Sequence, residues 1–338
     1  MNTKNTLDSN HIKNNQKMVL QILRTFQVKD NKKSFFIVLS TGLSSLVLIL
    51  LGGYIYTPGN WLFLVTWPFL IIALCRSFIV VHDSAHLALF DSKVHNTIAG
   101  NVIGFFVMIP CGMWRYIHNL HHASTGNLDK RHINPELWTM TSDEYVDSPY
   151  YKRLFYRINR SAFMRVVVTP LALFIVARIP FPQLSSKAKK SVIIYDVVYG
   201  VMFSLVVHYQ LLEQVFFAYL IPLYIFYVLA SLIFYLQHQF EDTVWLESND
   251  WNFYDAAFSG SSYLSFSPFF QWVTGNVGFH HLHHLNSKIP FYNLSKAHDS
   301  IKKYVDNKPV KFSEIFKHLN KKIWDKDQQR LINYSEIK

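Results

Sequence analysis

Eight of the sixteen histidines in this chain fall in three clusters with the patterns HxxxH, HxxHH and HxxHH. The clusters are His82 and His86; His118, His121 and His122; and His280, His283 and His284. On a helix, positions i, i+3 and i+4 share one face, so each cluster offers two or three imidazoles from a single surface. Neutral imidazole is a ligand for iron, zinc, copper and nickel, and eight ligands are twice what one tetrahedral zinc ion needs. The clusters therefore predict two metal ions held by nitrogen ligands.

The composition indicates that these clusters lie in a membrane protein. Half of the 338 residues are hydrophobic and only 16% are charged, against roughly 25% in soluble proteins. The net charge of +11 raises nucleic-acid binding as a function, but the lysines and arginines flank apolar runs, which favours contact with anionic lipid headgroups instead. The first 30 residues are polar and basic, which excludes a secretory signal peptide there. Cys75 and Cys111 form no motif and are predicted to be reduced.

Four apolar runs are long enough to cross a bilayer, since a spanning helix needs about 20 mostly apolar residues. The predicted spans form two hairpins at 35–56, 61–81, 192–210 and 214–236. Two further stretches are ambiguous. Polar residues and Pro interrupt 94–114, and 166–177 has only 12 residues, with a Pro inside. If all clusters meet at one site, an even number of crossings must separate them, so we expect neither stretch to span the membrane. By the positive-inside rule, the lysines of 183–191 place the N-terminus, the clusters and the tail in the cytoplasm.

The expected architecture is an all-α integral membrane protein with four transmembrane helices in two hairpins and a cytosolic helical cap that carries the metal site. Residues 1–34 form a cytosolic N-terminal segment and residues 35–298 the membrane domain. The tail 299–338 alternates apolar positions with lysines, and we expect amphipathic cytosolic helices there. The apolar positions are Ile301, Val305, Ile315, Phe316, Leu319 and Ile323.

The chain resembles the membrane-bound fatty acid desaturases, whose members carry the same three histidine patterns. The similarity runs from about residue 60 to residue 298, and it includes the strings WRYIH at 114–118 through GNLD at 126–129, QHQFED at 237–242, and GNVGFH at 275–280 through Ile289-Pro290. These strings resemble bacterial acyl-lipid desaturases and are more specific than the patterns alone. Alkane hydroxylases, carotenoid hydroxylases and sterol-modifying oxidases share the patterns.

The resemblance implies two iron ions, O2 as oxidant, and a further histidine ligand between the second and third clusters, a role that His238 fits. The predicted ligands are His82, His86, His118, His121, His122, His238, His280, His283 and His284. His281 breaks the spacing and is left out. A metal-bound histidine commonly donates its other ring N–H to a carboxylate or carbonyl, so Asp83, Glu241, Asp242 and Asn276 are candidates for that supporting role. The remaining histidines stand alone, and we interpret them as structural or surface residues: His11, His95, His132, His208, His298 and His318.

Removing two hydrogens from an unactivated alkyl chain requires activated dioxygen, which iron supplies. The protein must then exclude water and place one methylene pair of a membrane lipid against the oxidant. Aromatic residues that could line such a channel are Trp61, Trp67, Phe105, Phe106, Trp114 and Phe279. No haem, flavin or iron–sulfur motif is present, so a separate ferredoxin or cytochrome b5-like donor is expected to bring two electrons.

The leading hypothesis is an acyl-lipid desaturase that introduces a cis double bond, in the bacterial inner membrane with its active site facing the cytoplasm. A di-iron hydroxylase or ketolase acting on a lipid or carotenoid is the alternative among enzymes. A non-catalytic metal-binding membrane protein is the alternative from another class, although transporters usually hold their ligands near the bilayer midplane on repeated halves.

Overall fold

The computed structural model describes residues 3–132, 138–305 and 308–337, with side chains throughout these ranges except at 3–13, 312, 315 and 316. Helices dominate the described residues. In chain order they are α1 (Thr3–Arg24), α2 (Asn31–Ile55), α3 (Thr66–Ala85), α4 (Lys93–Gly104), α5 (Cys111–Ser124), α6 (Ser142–Val146), α7 (Tyr150–Asn159), α8 (Thr169–Val176), α9 (Ser186–His208), α10 (Leu212–Val215), α11 (Ile221–His238), α12 (Phe253–Ser259), α13 (Pro268–Val273), α14 (His280–Leu285), α15 (Leu294–Ile301) and α16 (Ile315–Leu319).

The four predicted spans are confirmed as helices that are long and apolar enough to cross a membrane. They are α2, the segment Leu62–Ala85 that ends in α3, α9, and the segment Leu212–His238 that joins α10 to α11 through a π-helical turn. Local capping explains where two of them begin. The Asp30 side chain accepts a hydrogen bond from the Lys33 amide at the start of α2, and the Ser185 hydroxyl accepts one from the Ala188 amide at the start of α9.

The ambiguous stretch 94–114 is not one continuous helix but the end of α4, a turn, and the start of α5. The carbonyl groups of this turn lie among the spans, where an unpaired carbonyl costs several kcal/mol. Side chains of the surrounding helices supply the missing donors. The Tyr199 hydroxyl donates to the Phe105 carbonyl, the Tyr219 hydroxyl to the Phe106 carbonyl, and the Tyr227 hydroxyl to the Val107 carbonyl. The Arg178 guanidinium donates to the Met108 carbonyl, and the four hydrogen bonds are 2.6–2.9 Å long. Because its carbonyls are paired, the turn can lie inside the protein, and the stretch 94–114 need not form a further membrane span.

The second ambiguous stretch, 166–177, also contains a break. A five-residue π-helix, Met164–Val168, leads into α8, and the pair formed by α7 and the segment Met164–Val176 is bent by 55°. Arg160 lies at this bend and is fully buried. Its guanidinium donates to the Gln239 side-chain oxygen at 2.6 Å and lies over the rings of Tyr156 and Tyr235.

The prediction of an all-α protein with a helical tail is wrong in detail, because four short strands occur in the described residues. Strand β1 (Leu264–Ser265) pairs in parallel with β2 (Val310–Lys311), and β3 (Ile323–Asp325) pairs antiparallel with β4 (Arg330–Ile332). The apolar positions at 323–324 and 331–332 lie on a hairpin and are fully buried. Of the other predicted apolar positions, Ile301 is buried at the end of α15, whereas the side chains of Ile315 and Phe316 lie outside the described set. The segment 323–332 is therefore a strand hairpin where an amphipathic helix was expected, whereas Ile315–Leu319 is helical as predicted.

Candidate metal centre

Four helices bring the predicted ligands together. His82 lies in the last turn of α3, and His86 is the residue that follows the helix end. The second cluster occupies the C-terminal half of α5, His238 is the last residue of α11, and the third cluster makes up most of α14. Each cluster presents its imidazoles from one helix face, as the i, i+3, i+4 spacing predicts.

Within the described residues the structure arranges eight of these histidines as two buried groups of four. One group contains His82, His86, His118 and His283, and the other contains His121, His238, His280 and His284. In each group the four candidate ligand atoms lie within 4.8 Å of one another. The second and third clusters each contribute to both groups, so two centres are adjacent rather than separate.

The ninth predicted ligand, His122, lies between the groups. Its Nε2 atom is 3.1 Å from Nε2 of His118 and 3.0 Å from Nε2 of His283, both in the first group. Its ring stacks on His284 of the second group, with centroids 4.1 Å apart. In the second group, Nε2 of His280 lies 2.9 Å from that of His238. Two nitrogens bound at right angles to one ion from about 2.1 Å would be about 3 Å apart, so these spacings fit ligands of a shared metal.

Burial sets the protonation of these side chains. Desolvation, followed by the neighbouring imidazoles, holds the pKa of His118, His122 and His283 well below the usual value of 6.5. The pKa values of His280 and His284 are lowered in the same way. The rings are therefore neutral at physiological pH, which is the form that binds a metal.

Two of the predicted ligands have partners that fix their tautomer. Oδ1 of the buried Asp83 lies 3.1 Å from Nδ1 of His82, and Nδ1 of His238 lies 3.2 Å from the Gly260 carbonyl oxygen, which can only accept. Both contacts favour a proton on Nδ1 and leave Nε2 free for a metal. The sequence suggested Asp83 but gave no signal for Gly260, because a backbone carbonyl can come from any residue.

The other three predicted supporting residues have different contacts. The Glu241 carboxylate forms ion pairs with three cations of the C-terminal segment, at 2.5–3.3 Å, and Asp242 is exposed. The Asn276 side chain donates to the Phe291 carbonyl at 2.9 Å, and the Phe291 amide donates to Asp83 at 2.7 Å. Asn276 is therefore linked to His82 of the first cluster only indirectly, through the Phe291 backbone and Asp83, and only Asp83 of the four has a described hydrogen bond to a clustered histidine. The cations paired with Glu241 are Lys317, Lys321 and Arg330.

His281 lies outside both groups, packed against Phe258, Tyr263 and His298. It is fully buried, and neither ring nitrogen has a hydrogen-bond partner among the described residues. Burial is the main cause that lowers its pKa to about 3. Of the isolated histidines, His95, His132 and His208 are exposed, whereas His298 and His318 are buried. The side chain of His11 lies outside the described set.

Aromatic rings pack against several of the clustered histidines. Among the predicted channel residues, Trp114 stacks on His118, with centroids 4.8 Å apart and planes at 19°. Phe234, which the sequence analysis did not single out, contacts the rings of His121 and His238 at 5.1 and 5.2 Å. Trp61, by contrast, is 70% exposed.

The contact between His121 and His238, whose ring centroids are 4.6 Å apart, restricts the topology. The two candidate spans between them in the chain, Ser186–His208 and Leu212–His238, are compatible with this contact, because two crossings return a chain to the side that it left.

A family model described as fatty acid desaturase matches residues 59–316, which include every predicted ligand. The chain belongs to the fatty acid desaturase family. It is accordingly an oxidoreductase, and the alternative of a non-catalytic metal-binding protein is not supported.

Individual relatives agree with this membership. A fatty acid desaturase of Bacillus subtilis is 29% identical over 338 residues, which cover 97% of this chain and 93% of the relative. The sn-1 acyl-lipid omega-3 desaturase (ferredoxin) of Nostoc sp. is 26% identical, with 88% of this desaturase and 81% of the relative covered. The sn-1 oleoyl-lipid 12-desaturase of Synechocystis sp. is 27% identical, with 76% and 74% covered.

Proposed function

We propose that this desaturase introduces a cis double bond into the acyl chain of a membrane lipid, with O2 as oxidant and two iron ions held by His82, His86, His118, His121, His122, His238, His280, His283 and His284. The observation that carries this proposal is the pair of adjacent, buried four-histidine groups at the ends of apolar helices. An alkyl chain has no acidic proton and no polar group at the position that reacts, so side chains alone cannot oxidise it.

The donor set supports iron as the resident metal. Imidazole nitrogen suits zinc, copper, nickel and iron, but zinc has no redox chemistry and cannot activate O2. Bound iron would supply the oxidising power, and the protein's residues supply the remaining requirements. Asp83 and the Gly260 carbonyl orient two imidazoles, while Trp114 and Phe234 pack against the histidine rings, where they would exclude water and contact an acyl chain.

The overall reaction requires an external reductant. Forming the double bond takes two electrons and two protons from the alkyl chain, whereas reducing O2 to two waters takes four of each. Two electrons and two protons must therefore come from outside. A ferredoxin-like or cytochrome b5-like protein is the proposed donor, and the relative from Nostoc sp. carries ferredoxin in its name.

The substrate is proposed to be an acyl-lipid, in keeping with the names of the relatives from Nostoc sp. and Synechocystis sp.. The four apolar helices agree with a lipid that reaches the site laterally from the bilayer. The lysines at 187, 189 and 190, all in the first two turns of α9, favour an active site on the cytoplasmic side of a bacterial inner membrane.

The product profile tests this function. We expect that expression in a host without polyunsaturated lipids adds new cis double bonds to lipid-bound acyl chains, measured as fatty acid methyl esters. Hydroxylated products would identify the alternative di-iron hydroxylase and refute the desaturase assignment.

A histidine substitution tests the metal centre. His283 belongs to the first group and is 3.0 Å from His122, so His283→Ala should abolish desaturation and lower the iron content below the two ions per chain expected of the wild type. His281→Ala is the matched control, because His281 lies in the same helix but outside both groups. Equal loss of iron in the two variants would contradict the proposed ligand set.

A further inference from the structure

A polar cleft of about 340 Å³ opens beside the first histidine group. Three lysines and one acidic residue account for the charge of its lining. The lining residues are Gln27, Lys29, Leu87, Asp91, Lys93 and Lys288.

Two helix N-termini strengthen the positive potential of this cleft. Helix α2 begins directly after Asp30, and α4 begins at Lys93. Reciprocal hydrogen bonds between Asn31 and Asp91, of 2.8 and 3.1 Å, tie the two helix starts together. Since each helix carries roughly half a positive charge at its N-terminus, the cleft combines the three lysines with two dipole ends of the same sign.

The cleft is also close to a predicted ligand. Lys288, in its wall, donates from Nζ to the His86 carbonyl oxygen at 2.9 Å. Leu87, also in the wall, is the next residue along the chain, and the His86 ring belongs to the first histidine group. A redox group seated above this wall is thus separated from the metal centre by little more than one residue and one hydrogen bond.

We propose that this cleft is the docking surface for an acidic iron–sulfur protein that carries one electron, an inference that rests on the proposed function. Two carriers bind in turn, and each is oxidised as it passes one electron towards the centre. The two electrons, with two protons from solvent, complete the reduction of O2 to water that accompanies double-bond formation. The lysines steer an acidic partner and fix its orientation.

The composition of the cleft favours such a protein over a lipid headgroup. Surfaces that rest on a membrane combine basic residues with exposed aromatic side chains. Helix α13 has that composition, because Phe269, Phe270 and Trp272 are all more than half exposed. The lining of the cleft contains no aromatic residue.

Charge reversal in the full-length protein tests this inference. The Kd of a plant-type [2Fe–2S] ferredoxin is measured on the protein in nanodiscs, at about 0.05 and about 0.5 M salt. The double variant Lys29→Glu/Lys93→Glu should raise the Kd at least about tenfold at low salt, and the difference should shrink at high salt. Lys152→Glu/Lys308→Glu is the control, since it reverses two exposed lysines outside the cleft with the same change in net charge.

The outcomes separate this inference from the proposed function. An unchanged Kd in the Lys29→Glu/Lys93→Glu variant overturns the docking surface, even where the wild type desaturates lipids normally. A variant that binds ferredoxin normally but is no longer stabilised by phosphatidylglycerol in mixed micelles also overturns it, because the lysines then contact lipid. Wild-type protein that binds ferredoxin through these lysines but forms no double bond leaves the docking surface standing and refutes the proposed function.

Discussion

Asp83 offers a sharp test of how the metal centre is built, through the substitution Asp83→Asn. The carboxylate accepts on both oxygens, at 3.1 Å from Nδ1 of His82 and at 2.7 Å from the Phe291 amide. An amide group of the same size can keep only one of these contacts as an acceptor. Because the backbone N–H of Phe291 can only donate, the amide oxygen must face it, and the amide NH2 group then faces His82.

The consequence is a reversed tautomer at His82. Its Nδ1 must accept from the NH2 group, so the proton of the neutral ring moves to Nε2, the atom that lies 3.0 Å from Nε2 of His118. Restoring the metal-binding tautomer would place two donors against each other and lose a buried hydrogen bond, which costs about 1–3 kcal/mol. This cost corresponds to a decrease of roughly 10- to 100-fold in metal affinity, the range typical for loss of such a supporting contact.

The assay is competition for iron with a chelator, followed by turnover at saturating iron. Asp143→Asn is the control, because Asp143 is exposed and the change in charge is the same. Thermal unfolding of the metal-free proteins checks that Asp83→Asn still folds. Wild-type iron affinity in a folded Asp83→Asn protein would refute the argument that Asp83 sets the tautomer of His82.

Two further predictions concern the scaffold. A methyl group at Gly104 would come within 2.5 Å of the Ile109 carbonyl oxygen and overlap the Tyr195 hydroxyl, so Gly104→Ala should destabilise the protein by about 1–3 kcal/mol in thermal unfolding. Gly200 has open space around it, so the control Gly200→Ala should be neutral or slightly stabilising in the same assay. Burial alone would raise the pKa of Glu241, but its paired lysines outweigh this and lower it below 4.5. A depressed pKa contributes stability above the unfolded value that is lost as pH falls through the folded value, so the hydrogen-exchange protection factors of the C-terminal hairpin, which are corrected for the slower intrinsic exchange in acid, should fall as pH is lowered. Glu241→Gln should already lower these protection factors at neutral pH, and unchanged protection factors there would contradict this role.

Much of the candidate site could be predicted from sequence because its signals are local. The spacing of His118, His121 and His122 requires only a helix to place three rings on one face. The expectation that the clusters meet at one site required an even number of crossings between them, and the contact between His121 and His238 shows that the second cluster and His238 do meet. The family resemblance, rather than spacing, singled out His238.

Other features could not be predicted because they depend on the approach of distant segments. The hydrogen bond from His238 to the Gly260 carbonyl, the tyrosine hydroxyls that satisfy the turn at 105–108, and the ion pairs of Glu241 all join residues far apart in the chain. The prediction of a helix at residues 323–332 was wrong for a different reason. Alternating apolar residues suit a strand and an amphipathic surface about equally, and the packing of Trp324 into the interior decided for a hairpin.

The sequence by itself therefore indicated histidine as the type of ligand, the spacing that places the rings of each cluster on one helix face, and four segments long and apolar enough to cross a membrane. These follow from residue chemistry, helical periodicity and the cost of placing polar groups in lipid. Only the tertiary structure decided how the histidines divide into two groups, because the second and third clusters contribute rings to both. It also decided which carboxylate supports a ligand, since Asp83 reaches His82 while Glu241 binds the C-terminal segment, and that choice depends on which backbone packs against which side chain.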